Sequence, residues 1–161
     1  MLGKKKSQQD AKPRVDVTTS ILIERPIATV AHFASNPDNA PRWYENIESV
    51  EWETPRPLVA GTRVAFVARF LGRRMEYTYE VAELVPLERL VMRMAEGAFP
   101  METTYTWEKL GKSLTRMTLR NSGTPAGFSR VAGPMMSRAI RKANEKDLEA
   151  LRELLEARDG K

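Results

Sequence analysis

The chain has 161 residues, enough for one domain, and its 42% hydrophobic and 29% charged residues can build a packed core. The formal net charge is +5, there is no cysteine, and His32 is the single histidine. These counts exclude a disulfide framework, a thiolate zinc site, a cysteine nucleophile and a multi-histidine metal centre, so neither a metal nor another cofactor is expected.

The charge is concentrated at the start. Residues 1–14, with Lys4, Lys5, Lys6, Lys12 and Arg14 against Asp10, carry +4, leaving +1 for the rest. This reads as a basic, disordered tail preceding a domain over residues 15–158. A short basic run is ordinarily a solvated one, although it can also meet phosphate-rich polymers or anionic lipid heads. No zinc finger, aromatic RNA-binding motif or helix-turn-helix pattern accompanies it, so nucleic-acid binding is not expected. The opening residues lack the apolar stretch of a secretory signal, and no apolar run approaches the roughly 20 residues that cross a bilayer. The expected location is the cytoplasm.

Residues 15–24 alternate with period two, placing Val15, Val17, Thr19, Ile21 and Ile23 on one face of a half-buried strand. Pro26 opens a short helix with Ile27, Val30, Ala31 and Ala34 at helical spacing, and Asn36-Pro37-Asp38 breaks it before a second short helix reaching Trp43 and Tyr44. Six strands follow. They lie near 47–53, 62–71, a stretch after a Gly72-Arg73 turn, then around Leu90 to Met94, Met101 to Glu108, and Arg116 to Arg120. Short connections between them favour an antiparallel meander with one face covered. Residues 128–158 change to helical period. Phe128, Ala132, Met136, Ala139, Ile140, Ala143, Leu151, Leu154 and Leu155 share one broad arc, opposite Arg130, Arg138, Arg141 and Glu145. This long amphipathic helix, bent or restarted at Gly133-Pro134, is the one element able to cover the sheet.

Strand, two short helices, six strands and a long last helix make an α+β chain of the helix-grip kind. Ile23-Glu24-Arg25-Pro26-Ile27-Ala28-Thr29-Val30, Asn36-Pro37 followed by Trp43, Gly61-Thr62-Arg63, the Trp107 strand and Lys146-Asp147-Leu148-Glu149-Ala150-Leu151 carry a resemblance. In their order and spacing the chain resembles the START-like, or SRPBCC, superfamily, and within it the polyketide cyclase/dehydrase and lipid-transport group. That resemblance implies a curved seven-stranded antiparallel sheet gripping the last helix around a hydrophobic cavity. It also implies a lipid, quinone, sterol or polyketide-like ligand. Fold alone does not decide among enzyme, carrier and other roles.

The face expected to line the cavity is rich in methionine and aromatic residues. It comprises Phe66, Phe70, Met75, Tyr77, Tyr79, Met92, Met94, Tyr105, Trp107 and Met117 from the sheet, with Met136 and Ile140 from the helix. Met101 points the same way. Methionine is flexible and polarizable, which suits packing against varied shapes, and tyrosine hydroxyls can orient a polar group of an otherwise apolar ligand. The same residues also make an ordinary core. His32 reads as a surface or packing residue. Asp147 is the one acid within the helix's apolar arc, and a buried carboxylate needs a partner, so structural pairing is expected for it. No catalytic residue is assigned.

The leading expectation is binding, extending to transport, of a hydrophobic small molecule or lipid between sheet and last helix. The alternatives are a polyketide cyclase/dehydratase-type enzyme using the same cavity, and a protein-interaction module without a ligand. Arg130, Arg138, Arg141 and Lys142, together with the tail, form a basic face that would suit transient contact with an anionic membrane. A merely solvated face is the favoured reading of it.

Overall fold

The computed structural model describes residues 14–96, 100–124 and 133–157. The alternating segments become seven strands: β1 (Val15–Ile23), β2 (Ile47–Trp52), β3 (Arg63–Phe70), β4 (Arg73–Val85), β5 (Arg89–Glu96), β6 (Met101–Gly111) and β7 (Leu114–Gly123). Between β1 and β2 lie α1 (Ile27–Ser35), a 3-10 turn (Pro37–Asn39) and the four-residue α2 (Ala40–Trp43); α3 (Gly133–Ala157) closes the chain. Asn36 links the two: its backbone N–H donates to the Phe33 carbonyl at the end of α1, and its side chain starts the 3-10 turn by accepting from the Asp38 N–H at 3.0 Å. Of the long-helix expectation, residues 128–132, including Arg130, lie outside the described residues, as do 1–13.

All neighbouring strands are antiparallel, in the order β1-β7-β6-β5-β4-β3-β2. In a flat sheet β1 and β4 would stand about 19 Å apart at ordinary strand spacing. Yet Val15 and Val17 of β1 share a cluster with Met136 and Ile140 of α3, against which Phe70 of β3 and Met75 of β4 also pack. The sheet therefore curls around the helix, as the helix-grip expectation requires.

Helix α3 presents a buried stripe of Met136, Ile140, Asn144, Asp147, Leu148, Leu151 and Leu155 at three- and four-residue spacing. Its last turns seat Leu148, Leu151 and Leu155 in the main core with Ile23, Val30, Trp43, Trp107 and Met117. Polar ties hold it in place. Arg141 Nη1 donates to the Thr18 carbonyl at 3.1 Å, and Glu156 Oε2 accepts from the Glu24 N–H at 2.8 Å.

Three details differ from the sequence reading. The β3–β4 turn is Leu71-Gly72, not Gly72-Arg73, because Phe70 pairs with Arg73 across it. A register shift between Val81 and Glu83 changes the parity of β4, so that Leu84 packs against the core. On α3, Asn144 and Leu148 are buried, whereas Ala139, Ala143 and Leu154 are half-buried at the margins of the stripe. No helix among the described residues is long and apolar enough to cross a membrane.

Candidate functional site

Where the first half of α3 faces the curled sheet, the two do not meet completely. A cavity of about 180 Å³, partly open to solvent, lies between them. Apolar cavities of about 150 Å³ can hold a benzene ring, so this one suits one or two fused rings. Its sheet wall carries Phe66, Ala68, Phe70, Met75, Tyr77, Tyr79, Leu90, Met92, Met94 and Met101. Met136, Ile140, Ala143, Asn144 and Asp147 of α3 form the roof, and Tyr44, Asn46 and Ile47, between α2 and β2, close one side. Phe66, Tyr77 and Tyr79 form an aromatic group, with Tyr77 stacked on Phe66 at 5.6 Å and tilted to Tyr79 at 5.3 Å.

Into this apolar lining the fold sets two polar features. Tyr44 and Tyr105 bring their hydroxyls to 2.7 Å of each other. Either can donate, and the accepting hydroxyl keeps its own proton for a third group. On β6 and β7, Thr103 and Asn121 are directly opposite, and Thr103 Oγ1 donates to Asn121 Oδ1 at 2.8 Å. The threonine proton is thereby used, so the Tyr79 hydroxyl, 3.1 Å away, donates to Thr103. Burial raises the pKa of Tyr44, Tyr77, Tyr79 and Tyr105; neighbouring tyrosines raise Tyr44 and Tyr77 further, whereas at Tyr105 the hydrogen bond with Tyr44 works against burial. They act as neutral hydrogen-bonding groups, not as phenolates.

Asp147 is only 3% exposed. Its Oδ1 accepts from the Glu45 N–H at 3.0 Å. Burial, with the Glu45 charge adding to it, pushes the carboxyl up to about 6, against the pull of the Glu45 N–H and Lys146. One turn earlier, Asn144 is equally enclosed, and its Nδ2 has no hydrogen-bond partner among the described residues. The structural pairing expected of Asp147 is present, and the residue also faces the cavity.

The structure brings together Phe66, Phe70, Met75, Tyr77, Tyr79, Met92, Met94, Tyr105, Met136 and Ile140 around one space. Trp107 and Met117 are the exceptions and correct the sequence expectation. They are cross-strand partners on the same sheet face, but they lie where the second half of α3 has descended, and both are core residues. His32 is exposed on α1, away from the cavity. Sequence reasoning missed Tyr44, Asn46, Thr103, Asn121 and Asn144. Asn144 had a readable signal, since a polar amide falls on the helix's apolar arc. Among the described residues no cluster of three His, Asp or Glu side chains could hold a metal ion.

The family described as polyketide cyclase/dehydrase and lipid transport matches residues 14–156. No curated protein matches the sequence. Among solved structures, the protein TTHA0849 of Thermus thermophilus is 22% identical, with a TM-score of 0.72 over 88% of this chain and 97% of that one. A START superfamily protein of Mycobacterium smegmatis is 16% identical, with a TM-score of 0.74 over 88% and 97%. The ZhuI aromatase/cyclase of Streptomyces sp. R1128 is 15% identical, with a TM-score of 0.74 over 90% and 95%. At these identities the likeness is one of fold.

Proposed function

The chain belongs to the polyketide cyclase/dehydrase and lipid-transport family, and from that premise we propose that it binds a hydrophobic small molecule or lipid between the sheet and the first half of α3. The observation that carries this reading is the cavity itself, whose walls are apolar apart from a few placed hydroxyls and amides, one acid, and the Arg69 guanidinium at the rim. Met75, Met92, Met94, Met101 and Met136 let the walls adjust to a ligand, and Tyr77, Tyr79 and Tyr105 orient its polar groups. In this reading the protein works in the cytoplasm. Its basic face, with Arg138 and Lys142 exposed on α3, touches anionic membranes while loading. Co-sedimentation that is equal for neutral and anionic vesicles would remove the membrane step.

The test of binding is native mass spectrometry of the purified protein, with organic extraction of whatever accompanies it. A stoichiometric apolar compound is expected. Ala143→Phe, which projects a ring from the roof into the space, should abolish it. A chain that carries no compound, and whose lining residues show no NMR shifts on adding naphthalene, would refute the reading.

One observation favours a second reading, that of a cyclase/dehydratase-type enzyme. Asp147, its carboxyl pushed up to about 6 by burial, lines the same cavity as the Tyr44–Tyr105 pair, and an acid so placed can move protons. Turnover of a reactive polyketide-like chain that is lost by orders of magnitude in Asp147→Asn would establish it.

A further inference from the structure

We propose that Asp147 sets the charge selectivity of the cavity, admitting ligands that present a hydroxyl or amino donor to the α3 wall and turning away those that present a carboxylate or phosphate there. The proposal rests on the reading of the cavity as a ligand site and names the chemistry of the ligand's inner end.

Only one oxygen of Asp147 is used by the protein, Oδ1 through the Glu45 N–H. Oδ2 has no hydrogen-bond partner among the described residues, and the side chain is part of the cavity wall. Around it stand the Asn144 amide, whose nitrogen is unpartnered, and the Tyr44–Tyr105 hydroxyl pair, which retains one undonated proton. A ligand hydroxyl fits this arrangement on both sides. It donates to the carboxylate, a charge-assisted bond, and its own oxygen accepts from the amide or the tyrosine.

An anionic group meets the opposite situation. The other charges nearby are already engaged. The Glu45 carboxylate binds exposed Lys146 at 3.1 Å, and the guanidinium of Arg69, at the exposed rim of the cavity, binds Glu48 at 2.7 Å. No uncommitted cation faces Asp147 among the described residues that line the cavity. Asp147 is itself 3% exposed, and a second carboxylate brought against it there raises the cost of keeping both ionised, so an acid enters by taking up a proton or by displacing Asp147 from its backbone partner.

Three probes of one size separate this idea from the reading it depends on: naphthalene, 2-naphthol and 2-naphthoate, titrated into the isotopically labelled protein at pH 7.5 and followed by NMR. Naphthalene reports on the cavity alone. If it shifts none of the lining residues, the cavity reading fails and this inference falls with it. With naphthalene bound, 2-naphthol should bind at least tenfold more tightly than 2-naphthoate and should shift the Asn144 side-chain amide. Naphthoate binding as tightly as naphthol to the wild-type protein would overturn the proposal while leaving the cavity intact. In Asp147→Asn, which keeps an oxygen for the Glu45 N–H, the naphthoate deficit relative to 2-naphthol should shrink to within about threefold, each affinity being referred to that variant's own affinity for naphthalene. An undiminished deficit in that variant, with naphthalene still bound, would equally overturn it.

Discussion

A carboxyl group that is 3% exposed and held by a single backbone N–H is poorly compensated for the water it has lost. The consequence for Asp147 is a carboxyl raised to about 6, mainly by burial. Its protonated form is the one the fold prefers. The stability it contributes is therefore fully present below the unfolded value, near 3.8, and is lost as pH rises through about 6. The difference is about 2–3 kcal/mol between pH 4 and pH 8. Asp147→Asn removes this dependence and keeps the Glu45 contact. The variant should match the wild type near pH 4 and exceed it near pH 8, with a gap in Tm of roughly 5–10 °C. Parallel Tm profiles across that range would show that Asp147 is better solvated than its burial implies. Tyr77, whose hydroxyl has no hydrogen-bond partner among the described residues, makes a complementary case. If it serves only to orient a ligand, Tyr77→Phe should weaken binding by no more than about tenfold, the worth of one neutral hydrogen bond, as measured by titration of the co-purifying compound.

Turns and strand ends carry the strain among the elements. Leu71 and Gly72 both have positive φ, 52° and 79°, so β3 and β4 are joined by a two-residue turn of the type that prefers Asn-Gly. A leucine there is disfavoured, and this one is 50% exposed. Leu71→Asn should stabilise the protein by about 0.5–1 kcal/mol, read as a higher denaturation midpoint with an unchanged slope. A loss of stability would mean that the exposed leucine makes contacts worth more than the strain. At the end of β7, Gly123 has φ 144°, and a Cβ there would stand 2.3 Å from the Pro100 carbonyl oxygen and 2.8 Å from Met101 Cα. Gly123→Ala should cost more than about 2 kcal/mol and shift the NMR signals of Met101, which lines the cavity. The strands themselves were legible because each buries one face, and burial on one face imposes period two. What escaped the sequence were features without a period. Tyr44 and Asn46 sit in a connection, Ala34, Ala40 and Ala68 help to form the space by being small, and the β4 register shift reverses which side chains point inward. Thr103 and Asn121 do occupy inward positions, but they matter through a cross-strand hydrogen bond whose register no single strand reveals.

For the whole molecule, the decisive geometry is the wedge between α3 and the curled sheet. Sheet residues of one face become core or cavity wall according to which half of the helix stands over them. Trp107 and Met117 share the core with Leu151 and Leu155, while Met75 packs toward Met136 and Ile140, where the space opens. Nothing in the local sequence marks that change, because it depends on how far a helix is held off a sheet. The molecule should therefore separate stability from binding along a single helix. Leu151 is fully buried, and Leu151→Ala should lower stability by about 2–5 kcal/mol while leaving probe affinity, measured on the folded fraction, within twofold. Ala143→Phe, two turns earlier and beside the cavity, should do the reverse. Its ring fills existing space, so the Tm should hold or rise while naphthalene binding is lost. If both substitutions reduced stability and binding together, helix and sheet would be acting as one tightly packed core, and the wedge could not be the origin of the site.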